Sequence, residues 1–181
     1  MDIHMPKPDC IACTESKQSV EPFGPKTNWK TEPGDLTHID LWGKYDIASI
    51  NRNHYYILFV DDSKKFNTTE FLKKKNKAAQ KVKEYLAYLI AHDMKPKAIH
   101  IDQGKEFVNN DLIAWCKERG IEIQMMAPYS LSQNGVAEQM SYMLVELAHA
   151  MMQGQSQFLW EYAISHSSYL RNHAYTESLG N

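Results

Sequence analysis

Ile99-His100-Ile101-Asp102-Gln103-Gly104-Lys105-Glu106-Phe107 opens, and Ala127-Pro128-Tyr129-Ser130-Leu131-Ser132-Gln133-Asn134-Gly135-Val136-Ala137-Glu138 closes, the stretch whose reading decides the fold. Asp102 ends a short apolar run and Gly104 follows at once, the pattern of a strand running into a turn. Glu138 opens a long helical pattern directly after an Asn-Gly loop. Two carboxylates at the ends of regular elements, with a flexible loop between them, suit a metal-dependent phosphoryl-transfer site. Such a site needs a third acid, and the best candidate is Asp40 in Thr37-His38-Ile39-Asp40-Leu41-Trp42-Gly43.

Outward from that stretch, the chain alternates between two periodicities. Leu36–Trp42, Tyr55–Val60 and Phe66–Leu72 read as strands rich in β-formers, with Asn51-Arg52-Asn53 as the turn between the first two. Short connections of this kind favour an antiparallel meander. Asn76–His92 places Ala79, Val82, Leu86, Leu89 and Ile90 at helical spacing, with lysines opposite. Pro96 ends that region, and Ala98–Ile101 returns as a strand that a crossover helix can set parallel to the first. Asn109–Arg119 reads as a helix with Asn109 or Asn110 as N-cap and Gly120 as its stop. Ile121–Met125 is a fifth strand, and helices follow over 135–153 and 156–173. Local pattern alone therefore gives an α/β class.

Composition narrows the class further. A chain of 181 residues with 43% hydrophobic and 23% charged content suits one globular domain and excludes a disordered or fibrous chain. No apolar run approaches the roughly 18 residues needed to span a bilayer, so no membrane partner is expected. The stretch Met1–Pro6 has no apolar core of the kind a signal peptide needs. Three cysteines make no disulfide framework, so a reducing compartment, nucleus or cytoplasm, is expected. The formal charge of −2 runs against the basic footprint of a phosphate-binding surface.

Thirty-five residues lie between Asp102 and Glu138. With that spacing, and with Val60-Asp61-Asp62-Ser63, Pro128-Tyr129, Gln133-Asn134-Gly135-Val136-Ala137-Glu138 and Tyr169-Leu170-Arg171-Asn172, the chain resembles the catalytic core of Ty1/copia-type retrotransposon integrases over roughly Cys10 to Asn181. The resemblance implies an RNase H-like five-stranded mixed sheet, its first three strands antiparallel, flanked by helices. It also implies a D,D-35-E triad of Asp40, Asp102 and Glu138, with two Mg²⁺ or Mn²⁺ ions as cofactors. The implied chemistry is DNA integration, meaning 3′-end processing and strand transfer. Implied partners are element-end and target DNA, RNA as a further nucleic acid, and other copies of the chain in a homo-oligomer.

Residues 1–33 hold five of the seven prolines and read as an extended linker. Within them Cys10-Ile11-Ala12-Cys13 has the spacing of half a zinc site. The His pair that completes such a module in the resembled family is missing, so Cys10 and Cys13 are expected to be its remnant. Zn²⁺ binding is expected only in a longer parent. Residues 34–181 are expected to form the core, cut short at its C-terminal end.

Around the triad, Tyr129 suits base stacking, Gln133 and Asn134 suit hydrogen bonds to nucleic acid, and Lys105, Lys73 and Lys74 suit phosphate contacts. Asp61-Asp62 reads as a turn after the second strand. The eight histidines show no ligand-spaced cluster, and His100 is read as facing away from Asp102. The methionines and Cys116 read as core filler. Two departures bear on activity. Gln103-Gly104-Lys105 stands where the resembled family usually has Asn-Gly-Gly. Gln139-Met140-Ser141-Tyr142-Met143 replaces its usual basic residue, Asn and Arg, and His149 replaces a common Arg. These departures keep two alternatives open: an inactive or domesticated remnant acting as a nucleic-acid-binding or dimerisation module, and an RNase H-like nuclease on RNA–DNA hybrids.

Overall fold

The structure is a computed structural model that describes residues 31–101, 107, 109–125 and 135–174. Its strands are β1 Leu36–Trp42, β2 Tyr55–Asp61, β3 Asn67–Leu72, β4 Ala98–Ile101 and β5 Glu122–Met125. Its helices are α1 Ala78–Ala91, α2 Asn110–Glu118, α3 Gly135–Met151 and α4 Trp160–His173. The five strands form one sheet in the order β3-β2-β1-β4-β5. β1, β2 and β3 pair antiparallel. β4 joins β1 in parallel, and β5 joins β4 in parallel. The expected RNase H-like α/β architecture is present; the first three helices shift by a residue or two at their ends, and the last begins at Trp160 rather than 156, after a 3-10 turn over Gln157–Leu159.

Side-chain alternation divides the sheet between two cores. On one side Ile39, Ile57, Phe59, Ile99 and Ile101 pack against α1 through Ala79, Val82 and Leu86, and against α2 through Leu112 and Cys116. Phe59 stacks on Tyr85 of α1 with ring centres 4.1 Å apart. On the other side Tyr56, Leu58 and Val60 meet Ala137, Met140 and Leu144 of α3 and Trp160, Ala163 and Ile164 of α4. Fully burying one large apolar side chain contributes roughly 1.5–3 kcal/mol, so these two clusters dominate stability.

Local signals set the ends of elements. Asn109 is the N-cap of α2, its side-chain oxygen accepting from Leu112 N at 2.7 Å. Gly120 ends the helix at φ +69°, a conformation that costs other residues a Cβ clash. Beyond β1, Gly43 lies so close to β2 that a Cβ there would sit 2.6 Å from the His54 carbonyl.

One expectation is corrected. The β1–β2 connection is not a short turn but runs over residues 43–54, and the Asn51-Arg52-Asn53 turn lies inside it. It is held by Glu161 of α4, which accepts from Ser49 Oγ at 2.5 Å, Asn51 Nδ2 at 3.0 Å and Asn53 Nδ2 at 3.0 Å. The other end of α4 fastens β3. Asn172 accepts from Asn67 N and Nδ2 and donates to Asn67 O, while Ser168 donates to Asn67 Oδ1. The Tyr169–Asn172 motif thus has a structural use, clamping the start of the edge strand.

Candidate active site

β1 carries Asp40 toward α3 because its neighbours Ile39 and Leu41 pack into the other core. In register, Asp40 lies beside Leu58, which belongs to the core beneath α3. The carboxyl is half-buried. Burial raises its pKa above the usual carboxylate value. Hydrogen bonds from the Ser141 hydroxyl, the Leu41 backbone N–H and the Trp42 side chain hold it down, and the charge of Glu138 pushes it up again. Among the described residues, no cationic side chain is among the groups that act on Asp40.

Glu138 is exposed in the first turn of α3, where the positive end of the helix dipole favours an acid. Ala137, Met140, Ser141 and Leu144 fix the helix on the sheet, and this placement brings Glu138 within electrostatic reach of Asp40. β4 approaches from the far side of β1. Its last residue, Ile101, is in register with Ile39, so Asp102 follows the partner of the residue that precedes Asp40. Asp102 itself lies outside the described residues, as do Lys105, Tyr129, Gln133, Asn134, Cys10 and Cys13.

The donor set fits a hard divalent cation. The charge of Glu138 acts on Asp40 with no base among the described groups that act on it, and Mg²⁺ or Mn²⁺ takes oxygen ligands while retaining water. Among the described residues no group of three acids, histidines or cysteines is preassembled for a metal.

The lysines divide. Lys73 and Lys74 are exposed just after β3, at the end of the sheet where β1 reaches Trp42, since Trp42, Tyr56 and Phe71 are in register. Lys81 and Lys83 lie on α1, across the sheet from α3. Lys81 pairs with Glu70 at 3.2 Å and Glu84 at 3.0 Å, and Lys83 pairs with Asp111. Those two cations are engaged with protein acids.

Several site residues were not legible in the sequence. Asp61 and Asp62 do form a turn, as expected, but they also tie the sheet together. Asp61 accepts from Gly34 N and Lys64 N, each at 2.7 Å. Asp62 accepts from His38, Lys65 and Thr31, each at 2.9 Å. The His38 hydrogen bond is the main reason the Asp62 pKa lies far below the ordinary value. The orientation read for His100 is also corrected. Residues two apart on a strand share a face, and His100 meets His38 edge-on with ring centres 4.8 Å apart, on the same face of the sheet as Asp40. Ser141 was detectable only by its helical spacing, three residues after Glu138. Tyr56 gave no signal, because its partner on α3 is distant in sequence.

The family model described as "Integrase core domain" matches residues 30–130, a span that includes Asp40 and Asp102 and stops before Glu138. The chain belongs to the integrase core domain family. It is 28% identical over 167 residues to the retrovirus-related Pol polyprotein from transposon TNT 1-94 of Nicotiana tabacum, covering 90% of this chain and 12% of that protein. It is 26% identical over 167 residues to the polyprotein from transposon RE2 of Arabidopsis thaliana, covering 90% and 11%. The chain therefore spans about a tenth of these relatives. A chain of the simian T-cell lymphotropic virus intasome, solved in complex with PP2A regulatory subunit B56 gamma, shares the fold with TM-score 0.64 at 19% identity, covering 80% of this chain and 50% of that one.

Proposed function

We propose that this chain is the catalytic core of a copia-type retrotransposon integrase, performing metal-dependent phosphoryl transfer on DNA through Asp40, Asp102 and Glu138. The observation that carries the reading is the Asp40 carboxyl, raised in pKa by burial and by the charge of Glu138 and, among the described residues, with no cationic side chain among the groups that act on it. The register of Ile39 with Ile101 supports Asp102 as the third member. When bound, two Mg²⁺ or Mn²⁺ ions supply charge neutralisation at the attacking and leaving oxygens of an in-line displacement. Asp40 and Glu138 orient the cation site from the sheet and from the first turn of α3. Tyr129, Gln133 and Asn134 contact the DNA, and Lys105, Lys73 and Lys74 contact its phosphates. Element ends and target DNA are the substrates, RNA is a further partner, and the chain acts as a homo-oligomer inside the cell.

α3 has no Lys or Arg along its length, and Tyr142 is 68% exposed on it. That uncharged face favours a second reading: a nucleic-acid-binding or dimerisation module without turnover. Glu138→Gln separates the two. With Mn²⁺ and a branched DNA substrate, wild-type protein is expected to cleave, and the variant to lose at least about 10²-fold, the scale of one lost electrostatic element of a catalytic site. Equal products from both proteins would exclude Glu138, and no product from either would favour the module.

A further inference from the structure

We propose that Trp42 is a stacking platform for an unpaired base at the end of a DNA strand, with Lys44, Lys73 and Lys74 holding the phosphates beside it. The inference rests on the DNA reading proposed above and narrows its substrate to a strand whose last bases are free of the duplex. Trp42 is the last residue of β1, two positions beyond Asp40 and therefore on the same face of the sheet. Tyr56, beside it on β2, is fully buried, whereas Trp42 is 37% exposed. The two rings are nearly parallel, at 14° with centres 6.3 Å apart. Tyr56 is itself held, its hydroxyl 3.0 Å from Ser141 Oγ of α3, so the indole rests on a fixed support. On the other side β1 outruns its parallel neighbour, because β4 ends at Ile101, in register with Ile39. Among the described residues, Tyr56 is the only ring against Trp42.

Three cations share that end of the sheet. Tyr45 N donates to His54 O at 2.8 Å, and His54 N donates to Leu72 O at 2.9 Å. These bonds set Lys44, which precedes Tyr45, and Lys73 and Lys74, which follow Leu72, beside the cross-strand row of Trp42, Tyr56 and Phe71. All three lysines are exposed, and none enters an ion pair with a described residue, whereas Lys81 and Lys83 are engaged with acids. An aromatic face flanked by unengaged ammonium groups suits single-stranded nucleic acid: the ring stacks a base of any identity, and the lysines follow the backbone. Inside a duplex each base is covered on both faces by its neighbours, so a base must be unpaired or terminal to lie on the indole. Two residues of strand span about 7 Å, so the stacked base belongs to a nucleotide next to the phosphate proposed to react at Asp40.

The test is fluorescence anisotropy with two labelled DNAs, a blunt duplex and the same duplex carrying an unpaired 3′ overhang. Wild type, Trp42→Ala, Trp42→Phe and Lys73→Gln are compared in EDTA, so that DNA binding is read apart from the cation site, with melting curves on the same samples. Wild type is expected to prefer the overhang. Trp42→Ala should lose about 10-fold in affinity for the overhang and nothing for the blunt duplex, the scale of one lost base stack. Trp42→Phe should keep most of the preference, because a ring remains. Lys73→Gln should weaken both DNAs alike and flatten the salt dependence. Wild-type preference in Trp42→Ala, an equal loss on both DNAs, or a wild type that binds neither would overturn the platform. Cleavage of branched DNA with Mn²⁺ separates the two claims. Cleavage by a wild type whose overhang preference ignores Trp42 would leave the proposed function standing without the platform. A Trp42-dependent preference without cleavage would overturn the catalytic reading and keep the platform.

Discussion

Asp40→Asn is expected to abolish Mn²⁺ binding and, in metal-free protein at neutral pH, to raise the melting temperature. Both effects come from one property of the site. The Asp40 pKa is raised, first by burial and further by Glu138, so the native state holds its proton more tightly than the unfolded chain does. The stability tied to that proton is complete below the unfolded pKa and is lost as pH rises through the folded pKa. At neutral pH the ionised carboxylate is thus a burden on the fold, and an amide of the same shape removes it. Metal binding has the opposite pH dependence, since the ligand must be deprotonated, and wild-type affinity should rise with pH through the same interval. At a hundredfold excess over its Kd, Mn²⁺ should add about 2.7 kcal/mol to wild-type stability and nothing to the variant. Melting curves with and without Mn²⁺, across pH, read both effects. A variant less stable than wild type without metal would contradict the burial argument.

Glu161→Ala is expected to produce a large loss of stability away from the active site. Its buried carboxylate accepts from Ser49, Asn51 and Asn53, and Ser49 Oγ in turn accepts from Asn53 N at 3.0 Å. Removing the acid leaves the Ser49 and Asn53 donors buried and unpaired, at about 1–3 kcal/mol each. The variant should therefore lose about 3 kcal/mol in total, which for a domain of this size lowers the melting temperature by roughly 6–12 °C. Trp160 donates to Ile47 O at 3.0 Å in the same connection, so the 43–54 segment should also lose protection against hydrogen exchange before the rest of the sheet. An unchanged melting temperature would mean that the segment is held by its apolar contacts alone.

The contrast between these two residues shows what the sequence makes legible. Asp40 could be found because a strand ending in an acid, and acids at fixed separations further on, leave a linear signature. The strands and helices could be found for the same reason: Val82, Leu86 and Leu89 repeat with the helix, and β2 is an unbroken apolar run. Glu161 leaves no such signature. Its partners lie more than a hundred residues upstream, in a connection that reads as a simple turn, and only the packed fold brings them together. Ser141 is intermediate, since its place on the Glu138 face follows from helical spacing while its bond to Tyr56 does not. The His38–His100 contact is hidden from sequence patterns because it crosses between strands. Polar groups that face one another across elements are thus the part of a site that sequence patterns leave out.

The central claim is that carboxylates from β1, from the residue after β4 and from the first turn of α3 act as one cation site. The most direct test is calorimetric titration of Mn²⁺ into wild-type protein and into Asp102→Asn. Wild type is expected to bind two ions per chain, and Asp102→Asn to lose that binding, because Asp102 would supply one of the carboxylates that hold them. Binding in Asp102→Asn that matches wild type would contradict the account.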